Sequence, residues 1–321
     1  MAAVAVAILI ALGWAALALW LGPLFGFVDR PDSNELKVHT RPAVPLGGVG
    51  VFLAIHTAMA MEGIYDAGLA AATGGLLLLG LLDDRFQLSA LIRLAVEVPL
   101  AGVLVVFANH GWPADPLPVV VGVGIVVVAI NAVNLFDGLD GLVGTTAIVS
   151  AIGLTLLAND RGLNGMYGLL LAAALLGFLV LNWHRARVFL GDNGSYTVGA
   201  FLAYGIMIVS PDSVDSRFIV GALLLGVFAV DLAATIVRRR LHGRPLFAGD
   251  RSHIYDQLHD RGWSVPRVVL SIAIAQAVFV GLALGVEQIR NGPGRIAAVA
   301  ILVASSMVAV RLGGFWRRQP D

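Results

Sequence analysis

Apolar residues along this chain follow neither the alternation of a half-buried strand nor the stripe of a surface helix; they come in long blocks separated by short polar breaks. Crossing the hydrocarbon core of a bilayer takes about 20 mainly apolar residues in a helix. Eleven runs meet or approach that length: 3–25, 46–61, 67–82, 88–107, 118–136, 141–158, 165–183, 195–210, 217–237, 267–287 and 295–312. In lipid each backbone polar group must be bonded within its own segment, so these runs predict helices. The expectation is an all-α, polytopic integral membrane protein with about 11 transmembrane helices. Glycines within several runs suit close helix packing in lipid. The first run has no basic residues ahead of it and is longer than the core of a signal peptide, so it reads as a retained anchor.

Composition agrees with the pattern: 58% of the 321 residues are hydrophobic and 13% charged, and the mean hydropathy is +0.87. Secreted, disordered and nucleic-acid-binding classes are excluded by this balance. With no cysteine there is no disulfide, thiolate-bound zinc, iron–sulfur cluster or thiol nucleophile. The formal net charge is zero, so charge acts only through its placement. That placement is lopsided. Of the 21 Lys and Arg residues, only Arg161, Arg217, Arg290 and Arg295 fall on one face of the predicted layout. Basic residues favour the cytoplasmic side, so the amino terminus is expected outside and the carboxyl terminus inside.

On this layout the external connections carry little chemistry. The internal segments, at about 28–45, 83–87, 137–141, 184–194 and 238–266, hold most of the carboxylates and asparagines. Function is expected at the cytoplasmic face of a single membrane domain spanning 1–321, with no convincing repeat.

Four constellations stand out. Asp83 and Asp84 are adjacent acids at the inner end of the third run, where a pair can hold a divalent cation or take a proton; a polar helix end neutralised by Arg85 is the simpler alternative. Asn131, Asn134, Asp137 and Asp140 follow a charge-free apolar run at three-residue spacing, which places them on one helix face, with Gly138 and Gly141 allowing close backbone approach. Polar groups at such depth are costly and point to function. Phe189, Gly191, Asp192, Gly194 and Ser195 form a tight polar turn, and Asp192 suits Mg²⁺, which takes one or two carboxylates with phosphate oxygens and water. Finally, Arg238–Leu258 is a long internal loop whose Arg251 and His253 suit phosphate or sugar contact, whereas Arg238, Arg239 and Arg240 read as positive-inside anchors. His56 reads as a packed helix contact, and Asp231 suits a structural bond or a site role equally.

These pieces, in this order, resemble the polyprenyl-phosphate N-acetylhexosaminyl-1-phosphate transferases over nearly the whole chain. The matching elements are Asp29-Arg30-Pro31 with Lys37-Val38-His39 and Pro45-Leu46-Gly47-Gly48, then Leu82-Asp83-Asp84-Arg85, Asn131 to Leu142, and Phe189 to Ser195. Further on come Asp231 with Arg238-Arg239, and Gly243-Arg244-Pro245-Leu246-Phe247 with Asp250-Arg251. The layout and the Gly-Arg-Pro-Leu-Phe segment look more like the N-acetylglucosamine-phosphate branch than the muramoyl-pentapeptide branch.

The resemblance implies transfer of a sugar 1-phosphate from a UDP-N-acetylhexosamine to a polyprenyl phosphate, releasing UMP, with Mg²⁺ or a substitute such as Mn²⁺. It implies a bacterial inner membrane and a place in cell-envelope glycan assembly. Asp192 and Asn134 would hold the metal, and the catalytic pair would be Asp83, removing or repelling the acceptor phosphate proton, and Asp84, supporting it or touching the metal. Asp140 and Phe189 would meet the uridine, and Asp137 would line the donor pocket. Arg251 and His253 would contact diphosphate or sugar; Lys37, Arg41 and Arg93 would draw in the lipid phosphate, although Glu97 offers Arg93 a simple partner one turn away. Membrane lipids are expected partners; a homodimer is compatible with the sequence but not specified by it. The resemblance departs at one point. The family's His-x-His-His pattern reads His253-Ile254-Tyr255-Asp256 here, so it does not carry over which hexosamine is used. Asp256 could read a sugar hydroxyl or pair with Arg251 or Arg261 and shape the loop.

An ion-coupled transporter would also carry intramembrane carboxylates, but it calls for polar groups near the midplane and an inverted repeat. The CDP-alcohol phosphotransferases are set aside because their Asp-Gly-x-x-Ala-Arg core is absent after Asp137-Gly138.

Overall fold

The computed structural model describes residues 1–31, 41–108, 116–209, 214–245 and 251–288, with isolated positions at 300, 301, 304, 305 and 308. Among these the protein is all-helical: α1 (Ala2–Phe25), α2 (Gly47–Met61), α3 (Ala67–Phe86), α4 (Ala90–Ala108), α5 (Pro116–Phe136), α6 (Leu142–Asp160), α7 (Met166–Asn182), α8 (Gly191–Val209), α9 (Val214–Leu224), α10 (Gly226–Leu241), α11 (Ile254–Asp260) and α12 (Val265–Gln288). Six helices, α1, α3, α4, α5, α6 and α12, are long and apolar enough to cross a membrane, and α2 and α7 are shorter apolar helices. The eleventh predicted run, 295–312, lies outside the described residues apart from those isolated positions.

Four expectations about boundaries change. The run 217–237 is broken at Leu225 into α9 and α10, whose new start is Gly226 packed under the Phe279 ring. Asp83 and Asp84 belong to the last turn of α3, which continues to Phe86 and stops where Gln87 turns left-handed at φ 53°. Asp192 belongs to the first turn of α8, entered through Gly191 at φ 76°. The stretch 238–266 is likewise not one loop, since it contains the end of α10 and all of α11.

α1 packs by the logic of lipid, with small residues inward and large apolar ones outward. In α1 the buried stripe is Ala3, Ala7, Ala11, Ala15, Ala18 and Gly22, against α2 and α7, while Leu9, Leu17, Trp20 and Leu24 are exposed. At the centre stands α8, buried from Asn193 through Met207 and packed on α2, α3, α5 and α6. Two glycines permit this. A Cβ on Gly80 would lie 2.3 Å from the Asn193 backbone, and one on Gly48 would lie 2.2 Å from Gly194 Cα. The backbones of α3 and α2 therefore touch the first turn of α8 directly.

The segment before α2 is tied to the one before α8. Asp29 bridges Ala43, Val44 bridges Val188, and the Gly47 and Gly48 amides donate to the Phe189 and Leu190 carbonyls at 3.0 and 3.1 Å. This lacing fixes Phe189 beside the amino end of α8.

Candidate active site

The first turn of α8 organises the site. Its unpaired N–H groups carry partial positive charge, and Asp84 from α3 answers them: the Asp192 amide donates to Oδ1 at 2.9 Å, and the Asn193 amide to Oδ2 at 3.2 Å. The Asn193 side chain completes the clamp, with Nδ2 donating to Asp84 Oδ2 and to the Pro45 carbonyl, both at 2.7 Å. Asp192 is thereby aimed at the end of α5, where Asn134 Nδ2 donates to its Oδ1 at 2.6 Å and to Ser195 Oγ at 3.0 Å. Residues 58 positions apart in sequence meet because α5 packs against α8.

Asp83, next in sequence to Asp84, points the other way. It is buried, accepts the Leu88 amide on Oδ1 at 2.7 Å, and on Oδ2 takes both Arg93 Nη1 at 3.2 Å and the Tyr196 hydroxyl. Arg93 also donates to the Tyr196 oxygen at 3.2 Å. The ion-pair partner of Arg93 is therefore Asp83, and Glu97, its alternative partner by sequence, takes the Asn131 amide at 2.6 Å. Tyr196 gave no signal in the sequence; its role follows only from α3, α4 and α8 converging.

The turn between α5 and α6 carries Asp137 and Asp140. Asp140 Oδ2 accepts the Arg185 and Ala186 amides at 2.9 and 3.0 Å, holding Arg185 at φ 66°. Asp137 is half-buried; loss of water, and then the carboxylates of Asp192, Asp84 and Asp140, push its carboxyl up to about 8.

Behind this turn lies α11. Asp231 Oδ2 holds His253 Nδ1 at 2.6 Å, and its Oδ1 accepts the Ile254 amide at 2.8 Å. His253 stacks on Tyr255, whose hydroxyl donates to the Leu135 carbonyl at 3.2 Å and whose ring meets Phe136 edge-on. Gly138 admits that ring, since a Cβ there would fall 2.2 Å from the Tyr255 oxygen. Asp256 is buried with Arg251 Nε 3.6 Å away. Burial raises the Asp256 carboxyl above its usual range.

A cavity of about 610 Å³ opens at this end of the bundle. It gathers Asp84, Asn134, Asp137, Asp140, Phe189, Asp192 and Arg41 from the sequence-predicted set. Asp83, Arg93, Arg251 and His253 are not on its wall, and Lys37 lies outside the described residues. The wall adds Asp29, from the Asp29-Arg30-Pro31 element to which no role was given, and Asn182, His184, Arg185 and His259, which sequence reasoning did not single out. Asn182 orders the turn beneath the cavity: Oδ1 takes the Gly141 amide at 3.0 Å and Nδ2 donates to the Val188 carbonyl at 2.9 Å. His56 is packed as expected, bonded to Thr73 Oγ1 at 3.0 Å.

Among the described residues no three His, Asp or Glu side chains form a ready-made metal cluster. Mg²⁺ does not need one, because it keeps waters and shares substrate phosphates around one or two carboxylates. The hard oxygen donors of Asp192, Asp137 and Asn134, and a carboxyl on Asp137 raised by burial and then by the neighbouring carboxylates, fit such an ion.

Residues 67–210 match the model of glycosyl transferase family 4. Over 367 aligned positions, covering 97% of this chain and 86% of the relative, the chain is 31% identical to a decaprenyl-phosphate N-acetylglucosaminephosphotransferase of Mycolicibacterium smegmatis. It is 31% identical to the protein of the same name in Mycobacterium tuberculosis, over 78% of this chain and 74% of that one. An undecaprenyl-phosphate alpha-N-acetylglucosaminyl 1-phosphate transferase of Salmonella typhi is 29% identical, over 91% of this chain and 85% of the relative.

Proposed function

The chain belongs to the polyprenyl-phosphate N-acetylglucosamine-1-phosphate transferase family, and from that premise we propose that it transfers N-acetylhexosamine 1-phosphate from a UDP-sugar to a polyprenyl phosphate, releasing UMP. The observation that carries this reading is the convergence of Asp84, Asn134, Asp137 and Asp192 with Phe189 on one cavity at the amino end of α8. Such a site suits two anionic substrates that must be neutralised and aligned. A transporter would place these groups at midspan; here they sit at helix ends and in the turns between helices.

In the proposed reaction an oxygen of the lipid phosphate attacks the β-phosphorus of the donor. The new P–O bond forms as the bridging bond to the α-phosphate breaks, and UMP leaves with the electron pair. Asp192 and Asn134 would hold Mg²⁺ beside Asp137; the ion supplies neutralisation of charge on the diphosphate. Asp84 keeps Asp192 in place through the first turn of α8. Phe189 offers a ring for uracil to stack on, and Asp140 borders the uridine. The acceptor, a phosphate monoester with a second pKa of about 6, arrives largely dianionic. Asp83 therefore acts chiefly by presenting the Arg93 guanidinium to it, joined by Arg41 and Lys37. Arg251 and His253 act from behind, by ordering α11.

The proposal extends to eleven spans in the bacterial inner membrane, with the amino terminus outside, the carboxyl terminus inside and the cavity facing the cytoplasm, where UDP-sugars are made. The test uses purified protein, Mg²⁺, a polyprenyl phosphate and a panel of UDP-sugars, with UMP release as readout. Turnover with a UDP-N-acetylhexosamine that depends on both lipid and Mg²⁺ is expected; silence across all UDP-N-acetylhexosamines with lipid present would overturn the reading.

A further inference from the structure

The positions at which the chain leaves the His-x-His-His pattern do not reach the cavity: Tyr255 is buried against Leu135 and Gly138, and Asp256 against Arg251. A different residue of that segment does. His259 lines the cavity, four residues beyond Tyr255 and so on the same face of α11, one turn on. The contact of Tyr255 with the turn carrying Asp137 carries this face of α11 toward the donor side of the site.

The ring of His259 is oriented by its backbone. Nδ1 lies 3.0 Å from the Trp263 carbonyl, which can only accept, so Nδ1 carries the proton and Nε2 is the remaining polar atom. Trp263 is itself held: its amide donates to the Leu258 carbonyl at 3.3 Å, and the Arg267 guanidinium sits 4.1 Å over its ring. In the neutral ring, a side chain that lines a cavity and is fixed at Nδ1 presents one acceptor atom, Nε2, to receive a hydrogen bond. A donor diphosphate has no proton to give at neutral pH, whereas the sugar has hydroxyls and an acetamido N–H.

We propose that His259 is a sugar-reading residue of the donor site, accepting through Nε2 a hydrogen bond from a hydroxyl or the acetamido N–H of the UDP-N-acetylhexosamine. This rests on the transferase reading and deepens it. The segment that supplies histidines at 255 and 256 in the family pattern would here act on the sugar one turn later, with Tyr255 and Asp256 serving as the frame.

Two amides separate the nitrogens of the ring. Asn places its amide nitrogen near Nδ1, keeping the bond to the Trp263 carbonyl and deleting Nε2; Gln reaches the Nε2 position and drops the Nδ1 bond. In the full-length protein, His259→Asn is expected to raise the KM for the preferred UDP-N-acetylhexosamine by about 5- to 10-fold, the loss of one hydrogen bond. It should narrow the preference among UDP-sugars and leave the affinity for UDP, measured by calorimetry, unchanged. His259→Gln should keep the wild-type ranking of donors. Three results would overturn the inference: Asn indistinguishable from wild type, Gln impaired while Asn is not, or UDP affinity lost in step with donor KM. A wild-type protein that neither binds nor turns over any UDP-sugar would overturn the transferase reading and this inference with it, and that failure is seen before any substitution is made.

Discussion

Three donors converge on Asp83, and they set what its removal does. With Leu88, Arg93 and Tyr196 all directed at one buried carboxylate, Asp83→Asn replaces charge-assisted bonds with neutral ones and leaves a half-buried guanidinium without its counter-charge. A loss of about 2 kcal/mol in stability is expected, read as a lower Tm, together with a large fall in turnover. Donor affinity should survive, because Asp83 is not on the cavity wall; donor affinity lost in proportion to rate would move Asp83 to the nucleotide side. Asp137 gives a pH dependence. Its carboxyl is pushed up to about 8, so at pH 7 the metal-free protein keeps a proton there, and a divalent cation beside it must expel that proton. Apparent Mg²⁺ affinity should rise about tenfold per pH unit below pH 8 and level off above it. In Asp137→Asn the slope should fall by about one proton per bound ion, and an unchanged slope would sink the assignment. Both acids stood out in the sequence as members of polar motifs. Adjacent letters could not reveal that Asp83 and Asp84 face opposite ways.

α8 and α11 act as elements rather than as carriers of single side chains. α8 can bring its first turn to the backbones of α2 and α3 only because Gly48 and Gly80 have no side chain, and that approach delivers Asp192 to Asn134. α11 presses Tyr255 onto the 135–138 turn, with Gly138 as the notch. Gly138→Ala should therefore displace α11 and abolish activity, while Tyr255→Phe, which keeps the ring and loses one hydrogen bond, should cost no more than about 1 kcal/mol. Because the clash in Gly138→Ala is with the Tyr255 ring, adding Tyr255→Ala should restore part of the Tm, whereas independent sites would add their losses. Additive Tm changes in that double variant would show that Tyr255 and the turn are not coupled. The sequence displayed Gly138 as a site glycine but not what it makes room for, since its partner Tyr255 lies far along the chain, in a helix whose own polar face looked like loop.

For the molecule as a whole, sidedness is the property to test, and the cysteine-free chain is suited to it. Single substitutions Gly63→Cys and Gly243→Cys, both at turns where an added Cβ meets nothing within 4 Å and where the left-handed backbone, φ 69° and 64°, costs about 1 kcal/mol, should react with a membrane-impermeant maleimide from opposite sides: the first in intact cells, the second only in inverted vesicles. Labelling of both from the same side would overturn the proposed topology. Apolar block length was enough to indicate apolar membrane-crossing helices, and the spacing of Asn131, Asn134, Asp137 and Asp140 marked a polar motif, while the phosphate chemistry came from the resemblance of the motifs to a known family and the arginine bias gave a sidedness that the labelling tests. Block length and spacing are properties of neighbouring residues, set by hydrogen bonding in lipid and by the helical repeat. The partnerships were not legible: Asp84 capping α8, Arg93 turning from Glu97 to Asp83, Tyr255 wedged against Gly138, and His259 rather than Asp256 reaching the cavity. Each depends on elements far apart in sequence, and at Gly48, Gly80 and Gly138 the absence of a side chain is what lets those elements touch.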